Sequence, residues 1–345
     1  MREIAPGVHW IRMPLPGVLD HINLWAIEDG EGWAVVDTGL RSEKTAEAWC
    51  RLFAGAMGGR PVTRVFVTHL HPDHAGMAGW LARRFDCRLW MTRLEYLSCR
   101  SLVADTGREA PRDAIAFVQR AGWTDEAVER YRARFGNFGS MFHAMPDSYR
   151  RLRDGECFAI GSHAWQVVVG SGHSPEHACL WCPELKLLIS GDQVLPRITS
   201  NVSVHPAEPD ENPLGDWLAS IASLRAQLPD ELLVLPAHDE PFIGLHERLD
   251  ALAANKLRKL DQLRRTLREP RRVVDLFAAL FGSVTTDGDG WKLGLATGEA
   301  LSHLNYLIQL GEVSRDVDDD SVAWYRMSTP TSHSHRWNHQ PSRPA

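Results

Sequence analysis

Four apolar, strand-like runs in this chain each lead into a histidine or an aspartate: "RVFVTHLHPDH", "VVVGSGHSPEH", "KLLISGDQV" and "LLVLPAHDEPF". A buried polar group needs a partner, so packing gives no reason to finish four strands in this way. Convergence at one sheet edge gives a reason, because ligands gather at strand ends in layered α/β folds. The first run is the densest, with His69, His71, Asp73 and His74 inside six positions. His-x-His on an extended segment places two imidazoles on one face, and Asp73 and His74 then fall at the start of the following helix. Neutral imidazoles and carboxylates are the natural ligands of zinc and similar divalent ions. His173, Asp192 and His238 are the same residue types after the other three runs.

The order of elements around these runs predicts a layered fold. "GVHWIRM", "INLWAIED" and "GWAVVDTG" read as short strands separated by Gly and Asp. A helix is expected from Ser42 to about Met57, then the strand "VTRVFVTH", the helix "AGMAGWLARRF" and the strand "CRLWMT". From Arg93 to about Arg153 the pattern turns helical and charged, which predicts a helical insert (93–153) able to cap a site. Strands resume with "AWQVVVGSGH", "ACLWCPE" and "KLLISGDQV"; "DWLASIASLRAQL" is helical by spacing and "ELLVLPAHDEP" is the last strand. Composition shifts near 246, where a charged amphipathic helix runs up to Pro270. Further helices and the strand pair "VSRDV"/"VAWYRM" predict a small winged-helix-like unit over 246–328. The tail 329–345 is polar and Pro/Ser-rich and is expected to be disordered, with His333, His335 and His339 solvated rather than metal-binding.

Bulk properties narrow the function. The chain has 345 residues and a net charge of -6, which argues against a general polyanion-binding surface. "KLRKLDQLRRTLREPRR" remains a local basic stripe. No run approaches the roughly 20 apolar residues of a membrane span, and "MREIAPGVHWIRMPLPG" lacks the apolar core of a secretory signal. Six cysteines in this length do not read as a disulfide scaffold, so a reduced, cytoplasmic setting and no membrane partner are expected. Cys179 and Cys182 lie three apart in an expected strand, point to opposite faces, and read as ordinary thiols. The scattered tryptophans read as packing.

With Asp37 in "VVDTG" added, the five motifs occur in an order that resembles the metallo-β-lactamase superfamily over about residues 1–245. The resemblance implies an α/β fold, an αββα sandwich, here followed by the winged-helix-like unit. It implies that His69, His71 and His173 hold one metal, that Asp73, His74 and His238 hold a second, and that Asp192 bridges both. It further implies that Asp37 buttresses the metal loop and that His177 hydrogen-bonds behind the ligands. Two divalent ions, most naturally Zn2+ with Fe or Mn as alternatives, would share a water and bring its pKa toward neutrality. Hydrolysis of a small ester or thioester by that hydroxide follows, with Asp73 as the catalytic carboxylate. In relatives the first hairpin borders the pocket, which nominates His21 and Asn23. Ser200, Asn201 and His205 follow Asp192 and are nominated as substrate contacts. Ser174, Glu176, Ala237 and Asp239 depart from the usual motif residues without removing a ligand. Other readings of the same pattern are an endoribonuclease of the lactamase-beta-like type, using the basic stripe on RNA, and a persulfide dioxygenase with one iron. The C-terminal unit is also a candidate homodimer surface.

Overall fold

A computed structural model describes residues 1–17, 19–282 and 290–328. The tail expected to be disordered, with its three histidines, lies outside the described residues. The first sheet runs in chain order through β1 (Arg2–Ala5), β2 (Val8–Pro14), β3 (His21–Asp29), β4 (Gly32–Val36), β5 (Val62–Phe66), β6 (Arg88–Met91) and β7 (Arg150–Arg151). Between its strands lie α1 (Glu43–Ala54), α2 (Pro72–Ala75), α3 (Ala78–Phe85), and the expected helical insert as α4 (Arg93–Ala104), α5 (Arg112–Arg120) and α6 (Asp125–Arg134). The second sheet contains β8 (Cys157–Ile160), β9 (His163–Gly170), β10 (His177–Cys182), β11 (Leu187–Gly191) and β12 (Leu233–Pro236). It is followed or crossed by α7 (Pro213–Gln227), α8 (Leu245–Thr266), α9 (Phe277–Phe281), α10 (Gly290–Gln309) and the hairpin β13 (Val313–Val317) with β14 (Ala323–Met327).

The alternation of each strand sorts its side chains into layers. Around β5, Val65 and Val67 join Trp49 and Phe53 of α1 and Leu81 of α3 on the outer face of the first sheet. Phe66 turns inward and packs with Trp25, Trp165, Leu180 and Ile189 between the two sheets. On β10, Leu180 and Cys182 face that inter-sheet core, while Cys179 faces the helices behind the second sheet. The two thiols therefore lie in different layers. This is the α/β sandwich of two sheets between helical layers.

The helical layer behind the second sheet does not end at α7. Leu214, Trp217 and Ile221 of α7 share one continuous core with Leu249, Leu252 and Leu260 of α8, with Leu304 and Leu307 of α10, and with Ile115 and Val118 of α5. α5 and α6 of the insert and the C-terminal elements thus pack on the outside of the same sheet, while Tyr96 and Cys99 of α4 join the cluster outside the first sheet. Helices followed by a two-stranded antiparallel hairpin match the element order expected for 246–328.

Candidate metal centre

His69, His173, Asp192 and His238 sit just beyond strand ends, while His71 caps α2 and Asp73 and His74 lie within it. Parallel β4 and β5 end at Val36 and Phe66, ahead of Asp37 and His69. Parallel β11 and β12 end at Gly191 and Pro236, ahead of Asp192 and His238. His173 lies in the turn from β9 to β10, and the two sheets are joined here by Ala178 N–H donating to the Thr68 carbonyl at 2.8 Å.

The side chains meet in two groups: His69, His71, His173 and Asp192, and Asp73, His74 and His238. Within each group the candidate ligand atoms lie within 4.8 Å of one another. His69 Nε2 is 2.8 Å from His71 Nδ1 and 3.2 Å from His173 Nε2. Asp192 stands between the groups. Its Oδ2 is 3.5 Å from His173 Nε2 and 4.0 Å from His69 Nε2, while its Oδ1 is 3.6 Å from His74 Nε2 and 3.5 Å from His238 Nε2. Asp73 Oδ2 closes the second group, 3.5 Å from His238 Nε2 and 3.7 Å from His74 Nε2.

The donor set fits divalent ions. Bonds of about 2.0–2.1 Å in a tetrahedron place ligand atoms about 3.3 Å apart, close to the spacings above. Burial and the neighbouring imidazoles hold His69 well below its ordinary pKa and push His71 down to about 3. Burial thus favours the neutral rings, the form in which an imidazole can offer a lone pair to a metal ion. His74 Nε2 and Asp192 Oδ1 are buried with no hydrogen-bond partner. Burial pulls the His74 pKa down, but Asp37, Asp73 and Asp192 together raise it well above its ordinary value. Without a cation these groups are costly to bury; with one, each is satisfied.

Neighbouring residues aim the imidazoles, as the outer partners of ligating histidines generally do. Asp37 accepts from Thr68 N–H and Oγ1–H, and from His74 Nδ1–H at 2.7 Å, which leaves His74 Nε2 free for the site. Thr68 Oγ1 is also 3.0 Å from His69 Nδ1. His177, kept neutral by burial and by His173, accepts the Asp192 N–H on Nε2 at 3.1 Å. Gly191 makes that approach possible: its φ is +50°, and a Cβ there would lie 2.6 Å from the His177 ring.

The residues nominated for a substrate pocket have different surroundings. Asn23 is fully buried; its amide donates to the carbonyls of Pro236 and Asp239, and its Oδ1 accepts from Trp10 Nε1. It therefore braces the loop that carries His238. Ser200 donates to the Asp192 carbonyl, and the Asn201 carbonyl accepts from His173 Nδ1 at 2.6 Å. His21 is half-buried against Asp20, and His205 is exposed.

Sequence reasoning missed Glu95. It is fully buried, with Oε2 accepting from Leu70 N–H and Oε1 from Glu176 N–H, both at 2.8 Å. One carboxylate thus ties the loop of His69 and His71 to the loop of His173. The only signal is Thr92-x-x-Glu95, which has the spacing of a helix capping box and suggests a purely local role. Instead Thr92 Oγ1 donates to the Glu176 carbonyl, and the Glu176 side chain accepts from Leu94 N–H at the start of α4.

The sequence profile described as Metallo-beta-lactamase superfamily matches residues 17–238. The chain belongs to the metallo-beta-lactamase superfamily, whose members are metal-dependent hydrolases. A second profile, Metallo-beta-lactamase-like, C-terminal domain, matches residues 260–328. The chain is 40% identical to a beta-lactamase domain protein from Burkholderia ambifaria, with 94% of each chain covered and a TM-score of 0.85. A metallo-beta-lactamase family protein from Thermus thermophilus is 25% identical, with 94% of this chain and 100% of that one covered and a TM-score of 0.78. Among curated relatives, acyl-coenzyme A thioesterase MBLAC2 of Gallus gallus is 26% identical over 75% of this chain and 86% of its own length. A hydroxyacylglutathione hydrolase of Rhizobium etli is 24% identical over 54% and 52%.

Half of the basic stripe of this superfamily member, four of its eight cations, is paired within the chain. Lys256 and Lys259 pair with Glu299, Arg264 with Glu312 and Asp261, and Arg272 with Asp275. Among the described residues no helix is long and apolar enough to cross a membrane.

Proposed function

We propose that this chain is a dinuclear metal-dependent hydrolase of a small thioester or ester. His69, His71 and His173 would hold one divalent ion, Asp73, His74 and His238 the other, and Asp192 both. The observation that carries this reading is the Asp192 carboxylate, whose two oxygens each face the imidazoles of a different group at 3.5–3.6 Å. Divalent ions held by these residues would supply Lewis acidity toward a carbonyl oxygen and lower the pKa of bound water.

The chain's own residues then divide the work. Asp37, Thr68 and the Asn201 carbonyl keep ring N–H groups outward so that lone pairs face the site. Asp73, whose side chain is more open to solvent than that of Asp192 (23% against 12%), would take a proton from the attacking water. It would pass that proton to the departing sulfur or oxygen. Water adds to the acyl carbon, the acyl–sulfur bond breaks, and the products are a carboxylic acid and a thiol. A thioester is favoured because the names of two relatives denote acyl–sulfur substrates, acyl-coenzyme A and hydroxyacylglutathione. A cytoplasmic, reducing compartment is the companion reading, supported by six free cysteines, and zinc is the ion that the histidine and carboxylate donors suit.

The test combines elemental analysis of the purified protein with turnover on an acyl-coenzyme A, a lactone and structured RNA. About two divalent ions per chain and release of free thiol are expected. One iron per chain with oxygen uptake, or RNA cleavage without thiol release, overturns the reading.

A further inference from the structure

The connection from Asp192 to Asn212 contains no helix or strand, yet it supplies the groups that touch two nominated ligands. Connections longer than about 12–15 residues without regular structure are uncommon and tend to be functional. Ser200 donates to the Asp192 carbonyl, and the next residue's carbonyl accepts from His173 Nδ1. A carbonyl can orient a ring only if its own peptide is held.

The anchor of that peptide comes from the C-terminal elements. Asn201 Nδ2 donates to Glu299 Oε2 of α10 at 2.9 Å. Glu299 Oε1 accepts from Lys256 Nζ at 2.7 Å and Lys259 Nζ at 3.0 Å, both on α8. Lys256 is fully buried and Glu299 nearly so. Burial raises the Glu299 pKa, but the two lysines outweigh it and hold the carboxyl at about 2. The loop backbone also docks on α10, with Val204 N–H donating to the Gly298 carbonyl at 3.0 Å. A Cβ on Gly298 would come within 2.8 Å of Ser203 and of the Val204 carbonyl, so the close approach requires glycine.

We propose that the C-terminal helices complete the metal site: Glu299, clamped between Lys256 and Lys259, is a positioning residue that holds Asn201 so that its carbonyl fixes the orientation and tautomer of His173. The inference rests on the metal-site reading, which the metal content of the wild-type protein tests separately. His173 belongs to only one of the two groups, so the effect must be one-sided. Loosening Asn201 frees one ion and spares the other.

The experiment uses the full-length zinc-loaded protein and follows zinc release to excess chelator with a metallochromic dye. Asn201→Ala removes the anchor and leaves the Lys256–Glu299 ion pair in place. Glu299→Leu combined with Lys256→Met removes the buried pair without leaving a charge behind, an exchange that buried pairs often tolerate in stability; Lys259, one-fifth exposed, can turn to water. In both variants one equivalent of zinc should leave about tenfold faster, while the second leaves at the wild-type rate. The thermal midpoint of the loaded protein should stay within about 4 °C of wild type. Wild-type release of both ions overturns the proposal. So does equal acceleration of both, which a general loosening of the fold would produce. Should the double variant not fold, Asn201→Ala carries the test.

Discussion

At the scale of single residues, the partners behind the ligands divide into those serving one group and those serving both. Among the nominated ligands Asp37 meets His74 directly, through Nδ1 at 2.7 Å, and reaches His69 only through Thr68. Asp37→Ala should therefore weaken binding of the ion at His74 about 10–100-fold and the ion at His69 by less, read by competition titration with a chelator. Asp192→Ala, by contrast, should release both ions and abolish hydrolysis, because each of its oxygens faces a different group. Full metal occupancy and activity in that variant would sink the dinuclear reading. Glu95 makes no ion pair among the described residues; burial pushes it up to about 7 against the pull of Ser174, Glu176 and Leu70. Glu95→Gln turns one oxygen into an N–H2 group that opposes a backbone donor. Leaving the Leu70 or Glu176 N–H unpaired should cost about 1–3 kcal/mol, measurable as a shift in the urea midpoint.

At the scale of elements, α4 is tied to the site through its first turn. The Glu176 side chain accepts from Leu94 N–H at 2.8 Å, replacing the side-chain cap that Thr92 does not supply. Glu176→Gly, which restores the residue more usual in the superfamily motif, should destabilise the protein by about 0.5–2 kcal/mol. Amide exchange at Leu94 should quicken before exchange in the sheets, and an unchanged rate there would show that the cap is idle. This pair also shows what a sequence reader can see. His69, His71, Asp73, His74, His173, Asp192 and His238 stand out because their residue types are improbable at the end of apolar runs. Asn23, Ser200 and Asn201 do not reveal their contacts in this way, because they act through hydrogen bonds to or from backbone carbonyls, which residue type and spacing do not show. Glu95 hid behind a local capping pattern. Lys256 hid in a stretch whose other cations are surface-like, since helical periodicity does not reveal that a buried lysine has met a glutamate on another helix.

At the scale of the whole molecule, the division near residue 246 that composition suggests has to be weighed against the packing. Units that fold independently own separate cores. Here α5, α7, α8 and α10 line one apolar cluster behind the second sheet, and the Lys256–Glu299 pair lies within it, close enough for Lys256 Nζ to sit 5.7 Å from the Trp217 ring of α7. Loss of the C-terminal helices would expose that cluster and unpair the loop carrying Asn201. Calorimetry of the metal-loaded chain should therefore show one cooperative transition whose calorimetric and van't Hoff enthalpies agree; two resolved transitions would mean that the C-terminal part unfolds by itself. Acid should probe the same junction. Glu299 titrates near 2 in the folded chain and near 4.5 when free, so its stabilisation is present above 4.5 and fades as the pH falls toward 2. Between pH 5 and 3 the stability of wild type should drop more steeply than that of the Glu299→Leu, Lys256→Met variant, measured by urea unfolding at each pH. Parallel slopes would mean that this buried pair does not hold the C-terminal helices to the sheet.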